Sequence, residues 1–204
     1  MLEEADAPWQ LRLTSIKPWP SCRHTHPIID CALEIHQMLD AQTVQNVEIK
    51  TYQAALDVCD NPEPESEYQA KFSLYHTAAI ALLDGAVGLN SFTPEARKRG
   101  ETLRRATRVS VVDPYASSYP VSWGAEVTAM TTSGNSFKVS RKDCKGDPEL
   151  ALDDAEMRAK AMGLLQYGGL DENAANHVCD SVLSMPDSNQ PGALFSTFVK
   201  HALN

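Results

Sequence analysis

The sequence predicts an α+β fold, an antiparallel sheet packed by helices and followed by a helical C-terminal segment. Three observations carry that reading. Residues 43–52 alternate Val47, Ile49 and Thr51 against Glu48, Lys50 and Tyr52, the two-residue period of a half-buried strand. Two further strand-like runs, Trp123 to Thr132 and Ser136 to Lys142, flank Ser133-Gly134-Asn135, a compact turn that suggests a hairpin. Beyond Gly146-Asp147-Pro148-Glu149 the signals are helical, beginning with the capping pair Asp153 and Glu156.

The elements follow in order. Residues 1–7 form a short polar leader, and Trp9 to Leu13 a brief apolar lead-in. Pro27 suits the first turn of a helix, where its missing N–H costs nothing. From there Ile28, Ala32, Ile35 and Leu39 recur at helical spacing, with Asp30 and Glu34 off the stripe. Asp57 to Glu67 is rich in Pro and acids and reads as an exposed loop. Residues 69–85 predict a helix that is apolar all round from Ala78 to Leu83 and stops near Gly85. Lys71, Tyr75 and His76 fall in its first turns, where polar side chains can still reach a cleft. Thr93-Pro94 opens a third helix whose Arg97, Lys98, Arg99, Arg104 and Arg105 read as a charged solvent face. Thr107 to Val112 is a strand with Val109 and Val111 on one face. After residue 146, one helix follows Asp153, a second runs from Asp171 to a stop at Pro186, and Gly192 to Leu203 is a last amphipathic piece. The domain reading is therefore leader 1–7, an α+β unit over 8–145 and a helical segment over 146–204.

Composition narrows the function. The 204 residues are 43% apolar and 22% charged, ordinary for a globular protein with a core. A net charge of −9 argues against nucleic acid or an anionic membrane as partner. Cys22, Cys31, Cys59, Cys144 and Cys179 are odd in number and scattered, and no long apolar run accompanies them. Reduced thiols in a cytoplasm fit that pattern.

Against the acidic background one stretch stands out. Residues 17–26, KPWPSCRHTH, hold one Lys, one Arg and two His on a backbone stiffened by two prolines. They precede a helix N-terminus, which favours anions through its free N–H groups. Lys17, Arg23, His24 and His26 thus point to an anion or carboxylate site. Cys22, His24 and His26 also admit a metal triplet, but alternating ligands so close together need a strand and a fourth ligand. A Cys22/His nucleophilic pair lacks an orienting acid. His76 on an apolar helix reads equally as a satisfied core histidine, and His36 and His177 as ordinary ones.

The segments KPWPSCRHTHPIID (17–30) and Ala70-Lys71-Phe72-Ser73-Leu74 through Ala81-Leu82-Leu83-Asp84-Gly85 resemble signature segments of the MmgE/PrpD family, whose members include 2-methylcitrate dehydratase, cis-aconitate decarboxylase and iminodisuccinate epimerase. The likeness covers nearly all of the chain and is to the family's C-terminal half. It implies that residues 8–145 form a small lid-type domain and that the helices after 146 pack on a large helical domain with no counterpart in this sequence. It implies a lyase acting on small di- or tricarboxylates, with no metal or organic cofactor. Lys17 matches a family active-site lysine and is expected to act as electrostatic clamp or acid. His76 falls where relatives place a proton donor, in some a Tyr, so that helix register decides between Tyr75 and His76. Arg23, His24, His26 and Lys71 are expected to bind carboxylate or orient the site. The partners implied are a small polycarboxylate and either a second copy of the chain or a separate helical domain, because apolar faces would lack their covering. A non-catalytic remnant that keeps the lid fold and an anion site is the competing reading.

Overall fold

A computed structural model describes residues 10–39 and 43–185. The leader, Trp9, Pro186 and the amphipathic piece over 192–203 lie outside the described residues. The chain divides into two compact units, Met1–Ala151 and Leu152–Asn204.

The first unit is built on α1 (His26–Met38), β1 (Val44–Thr51), α2 (Gln53–Cys59), α3 (Glu67–Ala70), α4 (Leu74–Asp84), α5 (Pro94–Arg99), α6 (Glu101–Arg105), β2 (Thr107–Val111), α7 (Tyr115–Ser118), β3 (Ala125–Thr131) and β4 (Ser136–Arg141). Short 3-10 turns at Arg23–Thr25 and Leu89–Phe92 lead into α1 and α5. The class is α+β. The sheet, in the order β2-β1-β3-β4, is mixed rather than wholly antiparallel. β1 runs parallel to β2, with Ile49 opposite Val109, and antiparallel to β3, with Ile49 opposite Val127. The chain between β1 and β2 carries α2 to α6, the long crossover that a parallel pair requires. The hairpin joining β3 and β4 turns on Gly134 at φ 87°, a conformation that glycine adopts without penalty.

One face of the sheet is dry. Val47, Ile49, Val127, Ala129 and Val139 are buried together with Ile28, Ile29, Ala32 and Ile35 of α1. Full burial of each large aliphatic side chain favours the fold by about 1.5–3 kcal/mol. The other face is charged, where Lys50 bonds Glu126 at 3.1 Å and Lys138 bonds the same carboxylate at 2.8 Å. α4 packs on α1 and is buried along almost its whole length. Ser73 caps it by accepting from the His76 N–H, and Gly85 ends it at φ 64°. His36 then closes the α1–α4 seam by donating from Nδ1 to Leu82 O at 2.8 Å.

Several expectations are corrected. The segment around Asp57 is not all loop, because α2 occupies Gln53–Cys59. Lys71 lies outside α4, at the end of α3. Arg104 does not belong to a solvent face: it is buried, and its guanidinium donates to Pro62 O and to Arg97 O. Tyr52, read as outward, is fully buried because the chain leaves the strand there.

In the second unit α8 (Asp154–Tyr167) starts at a complete capping box of Asp153 and Glu156, and α9 (Glu172–Leu183) starts at the Asp171 cap. Arg158 of α8 pairs with Asp180 and Asn176 of α9. Ala175, Val178 and Cys179 are buried, while Leu164, Tyr167 and Leu183 remain exposed.

Candidate functional site

The cationic loop is fastened by parts of the chain far away in sequence. Ile16 N–H donates to Gly146 O at 2.8 Å, and the Ser15 hydroxyl to Asp147 at 2.8 Å. Trp19 Nε1–H donates to Asp30 at 2.9 Å, and Cys22 N–H to Lys71 O at 2.9 Å. Gly146 sits at φ 89°, where a Cβ would come 2.0 Å from Ile16 O, so the crossing admits no side chain. Thr25 donates to Cys22 O at 2.7 Å, which leaves the Ser21 hydroxyl to donate to Thr25 Oγ1 at 2.8 Å. The first turn of α1, His26 to Ile29, is buried, so an anion would meet the loop's side chains and not that helix end.

Two pairs form within the loop. In the first, Ser21 O accepts from Lys17 Nζ at 3.2 Å and from His26 Nε2 at 3.4 Å. A carbonyl can only accept, so His26 carries its proton on Nε2. Burial, above all, lowers its pKa to about 4, with the charges of Lys17 and Arg23 adding to the effect. His26 is therefore neutral at pH 7. Lys17 is exposed and, among the described residues, has no carboxylate partner.

The second pair is Arg23 and His24, both against Trp123. The Arg23 guanidinium lies 4.0 Å from the Trp123 ring centre, and the His24 ring stacks on it at 4.7 Å. Arg23 is not free for a substrate carboxylate. It forks onto Asp147, with Nε at 3.0 Å and a terminal nitrogen at 2.5 Å. Burial works to raise the Asp147 pKa, but the bonds from Arg23 and Ser15 outweigh it and hold the carboxyl ionised. The adjoining cavity, about 340 Å³, is lined by Arg23, Ser15 and Trp123 but also by Asp143, Asp147 and Glu149. With that sign of charge it repels a polycarboxylate. Against Tyr52 O–H, His24 Nδ1 lies at 2.9 Å. Burial and then the Arg23 charge depress the His24 pKa.

His76 is apart from both pairs. It has no exposed surface. Its Nε2–H donates to Ser91 O at 2.8 Å, and Nδ1 faces an Arg104 nitrogen at 3.5 Å. Burial lowers its pKa to about 4. The expectation that His76 reaches a cleft is corrected: the helix register turns it into the core and leaves Tyr75 half-exposed, donating to Asp60 at 2.6 Å. Lys71 joins the site through its main chain, while its ammonium lies 5.7 Å from the Phe92 ring beside His76.

Cys22 is half-buried and hydrogen-bonded by the Cys59 thiol, which lowers its pKa and raises that of Cys59. Among the described residues no three His, Cys, Asp or Glu side chains are placed to hold a metal ion. Nor is any helix there long and apolar enough to cross a membrane.

Sequence reading missed Tyr52, Trp123 and Asp147. Asp147 stood only in a chain break, and its partners Ser15 and Arg23 lie more than a hundred residues away. The model of the MmgE/PrpD C-terminal domain matches residues 19–184. The chain belongs to the MmgE/PrpD family. The match takes in Arg23, His24, His26, Lys71 and His76 and begins two residues after Lys17. No curated protein matches the chain.

Proposed function

We propose that this MmgE/PrpD C-terminal domain supplies one wall of an active site for small di- or tricarboxylates, in a dehydratase-like lyase working in the cytoplasm. The observation that carries the reading is the exposed Lys17 ammonium, held by a backbone carbonyl and, among the described residues, without a carboxylate of its own. Removing a proton next to a carboxylate builds negative charge that a fixed cation stabilises, an effect worth several kcal/mol at a desolvated site. Lys17 takes that clamp role. His26 holds the Ser21 carbonyl from the other side, and His24 offers a neutral ring nitrogen to the same ligand. Arg23 shapes the loop by binding Asp147. His76 acts in this reading through the scaffold, because both of its ring nitrogens are engaged in the core. The complementary base, and the cover over Leu164, Tyr167 and Leu183, come from a helical domain or a second copy.

A second reading has its own support. The Arg23–Asp147 pair and the sealed His76 are what a non-catalytic lid with a residual anion site would show.

The test is turnover of citrate, 2-methylcitrate and cis-aconitate, followed by ultraviolet absorbance of the unsaturated acid. It is run on the chain alone and with a separately expressed family helical domain. Activity that needs the added domain and disappears in Lys17→Ala supports the lyase. A folded chain that stays silent in both conditions, with these and the other family substrates, overturns it in favour of the remnant.

A further inference from the structure

Among the described residues Tyr52 is the largest fully buried side chain, and the sequence pattern did not single it out. Burial pushes its pKa far above the ordinary phenol range, so the hydroxyl stays protonated. A buried O–H must be given to an acceptor. The acceptor the structure provides is His24 Nδ1, at 2.9 Å. The pair cannot shift. Tyr119 stacks on the Tyr52 ring at 4.5 Å with 13° between the planes, and Trp123 stacks on the His24 ring at 4.7 Å with 21°.

From this geometry we infer that Tyr52 is a positioning residue, which fixes His24 as the Nε2–H tautomer and presents that N–H to a ligand carboxylate. With Nδ1 accepting from Tyr52, the single proton of the neutral ring sits on Nε2. Among the described residues Nε2 has no partner, and no buried side-chain nitrogen or oxygen is left unpaired, so Nε2 faces solvent. A neutral donor in this place has a chemical use. It binds a carboxylate or carbonyl oxygen without adding a charge beside Arg23, and it cannot be captured as an ion pair by Asp147. The ligand class rests on the proposed function; the tautomer and the role of Tyr52 do not.

The two parts are tested separately on the full chain. Long-range ¹H–¹⁵N correlation at pH 7.5, with His24 assigned by its loss in His24→Gln, is expected to show the Nε2–H pattern. Tyr52→Phe, which keeps the ring and its stacking, is expected to convert it to a mixture of tautomers. Nδ1–H in the wild type overturns the inference, as does a folded Tyr52→Phe protein with an unchanged pattern. Should Tyr52→Phe not fold, the wild-type spectrum alone decides. Citrate is then titrated in. A shift of the His24 Nε2 resonance that is lost in Lys17→Ala supports the carboxylate as ligand. An unmoved resonance with the Nε2–H pattern intact overturns the ligand class and leaves Tyr52 as positioning residue.

Discussion

His24 and His76 are the same side chain in the same charge state, yet they do opposite things. Each is neutral, each has its pKa lowered chiefly by burial, and each has one nitrogen tied to a defined partner. The difference is the second nitrogen. In His76 it faces Arg104 inside the core, so the ring joins the α5–α6 region to α4. In His24 it is open to solvent, so the ring can act on something that arrives. Depressed basicity therefore does not separate a sealed histidine from an accessible one in this fold; the fate of its second nitrogen does.

The comparison can be broken most decisively at His76. His76→Ala removes the donor to Ser91 O and leaves a buried void beside Phe92 and Arg104. A loss of about 3–4 kcal/mol in urea unfolding is expected, against about 1–2 kcal/mol for His24→Ala, which leaves the Tyr52 hydroxyl without its acceptor. Equal losses would erase the difference between the two rings.

Acid should test the sealed rings next. His76 and His26 titrate near pH 6.5 when unfolded but have folded-state values of about 4. The unfolded chain then takes up protons that the native state refuses. Stability from these groups is complete above about pH 6.5 and is lost as pH falls toward 4, by on the order of 3 kcal/mol for each buried ring. His76→Gln should flatten the decline measured by chemical unfolding between those limits. A wild-type stability that is level from pH 7 to 4.5 would contradict the assignment.

Asp147 offers a smaller change on the His24 side. Asp147→Asn weakens the fork to Arg23 and the bond from Ser15, and should cost about 1–3 kcal/mol. It also releases the guanidinium, so citrate should bind more tightly by calorimetry. Unchanged or weaker binding would mean that Arg23 serves only the loop. The smallest structural effect belongs to Lys17→Ala, within about 0.5 kcal/mol by thermal unfolding because the side chain is exposed. Its expected cost lies in activity with the completing domain, about 100-fold or more.

Much of the scaffold was legible because it depends on local pattern. The stripe of Ile28, Ala32 and Ile35, the alternation of Val47 and Ile49, the turn at Gly134 and the Asp153–Glu156 cap each state their structure within a few residues. The parallel pairing of β1 with β2 was not legible, since periodicity says which side chains face inward and not which strand lies alongside. Ser73 is a cap signal just before an apolar run, and reading it would have excluded Lys71 from α4 and turned His76 inward. The site was half legible. Charge and proline marked residues 17–26, but Tyr52 and Asp147 reach that loop only through the fold.

The separation of those contacts also bears on the order in which the molecule assembles. Asp30 takes one bond from Trp19 Nε1 and another from Lys145 N, while Ser15 and Ile16 bind residues 147 and 146. Loop closures of that length are entropically slow and contribute little until the sheet is in place. The loop bearing Lys17 should thus be among the last parts to gain protection in pulsed hydrogen exchange during refolding, well after α1 and β1. A ribosome that has released only the first hundred residues will hold the chemistry-bearing sequence but no site.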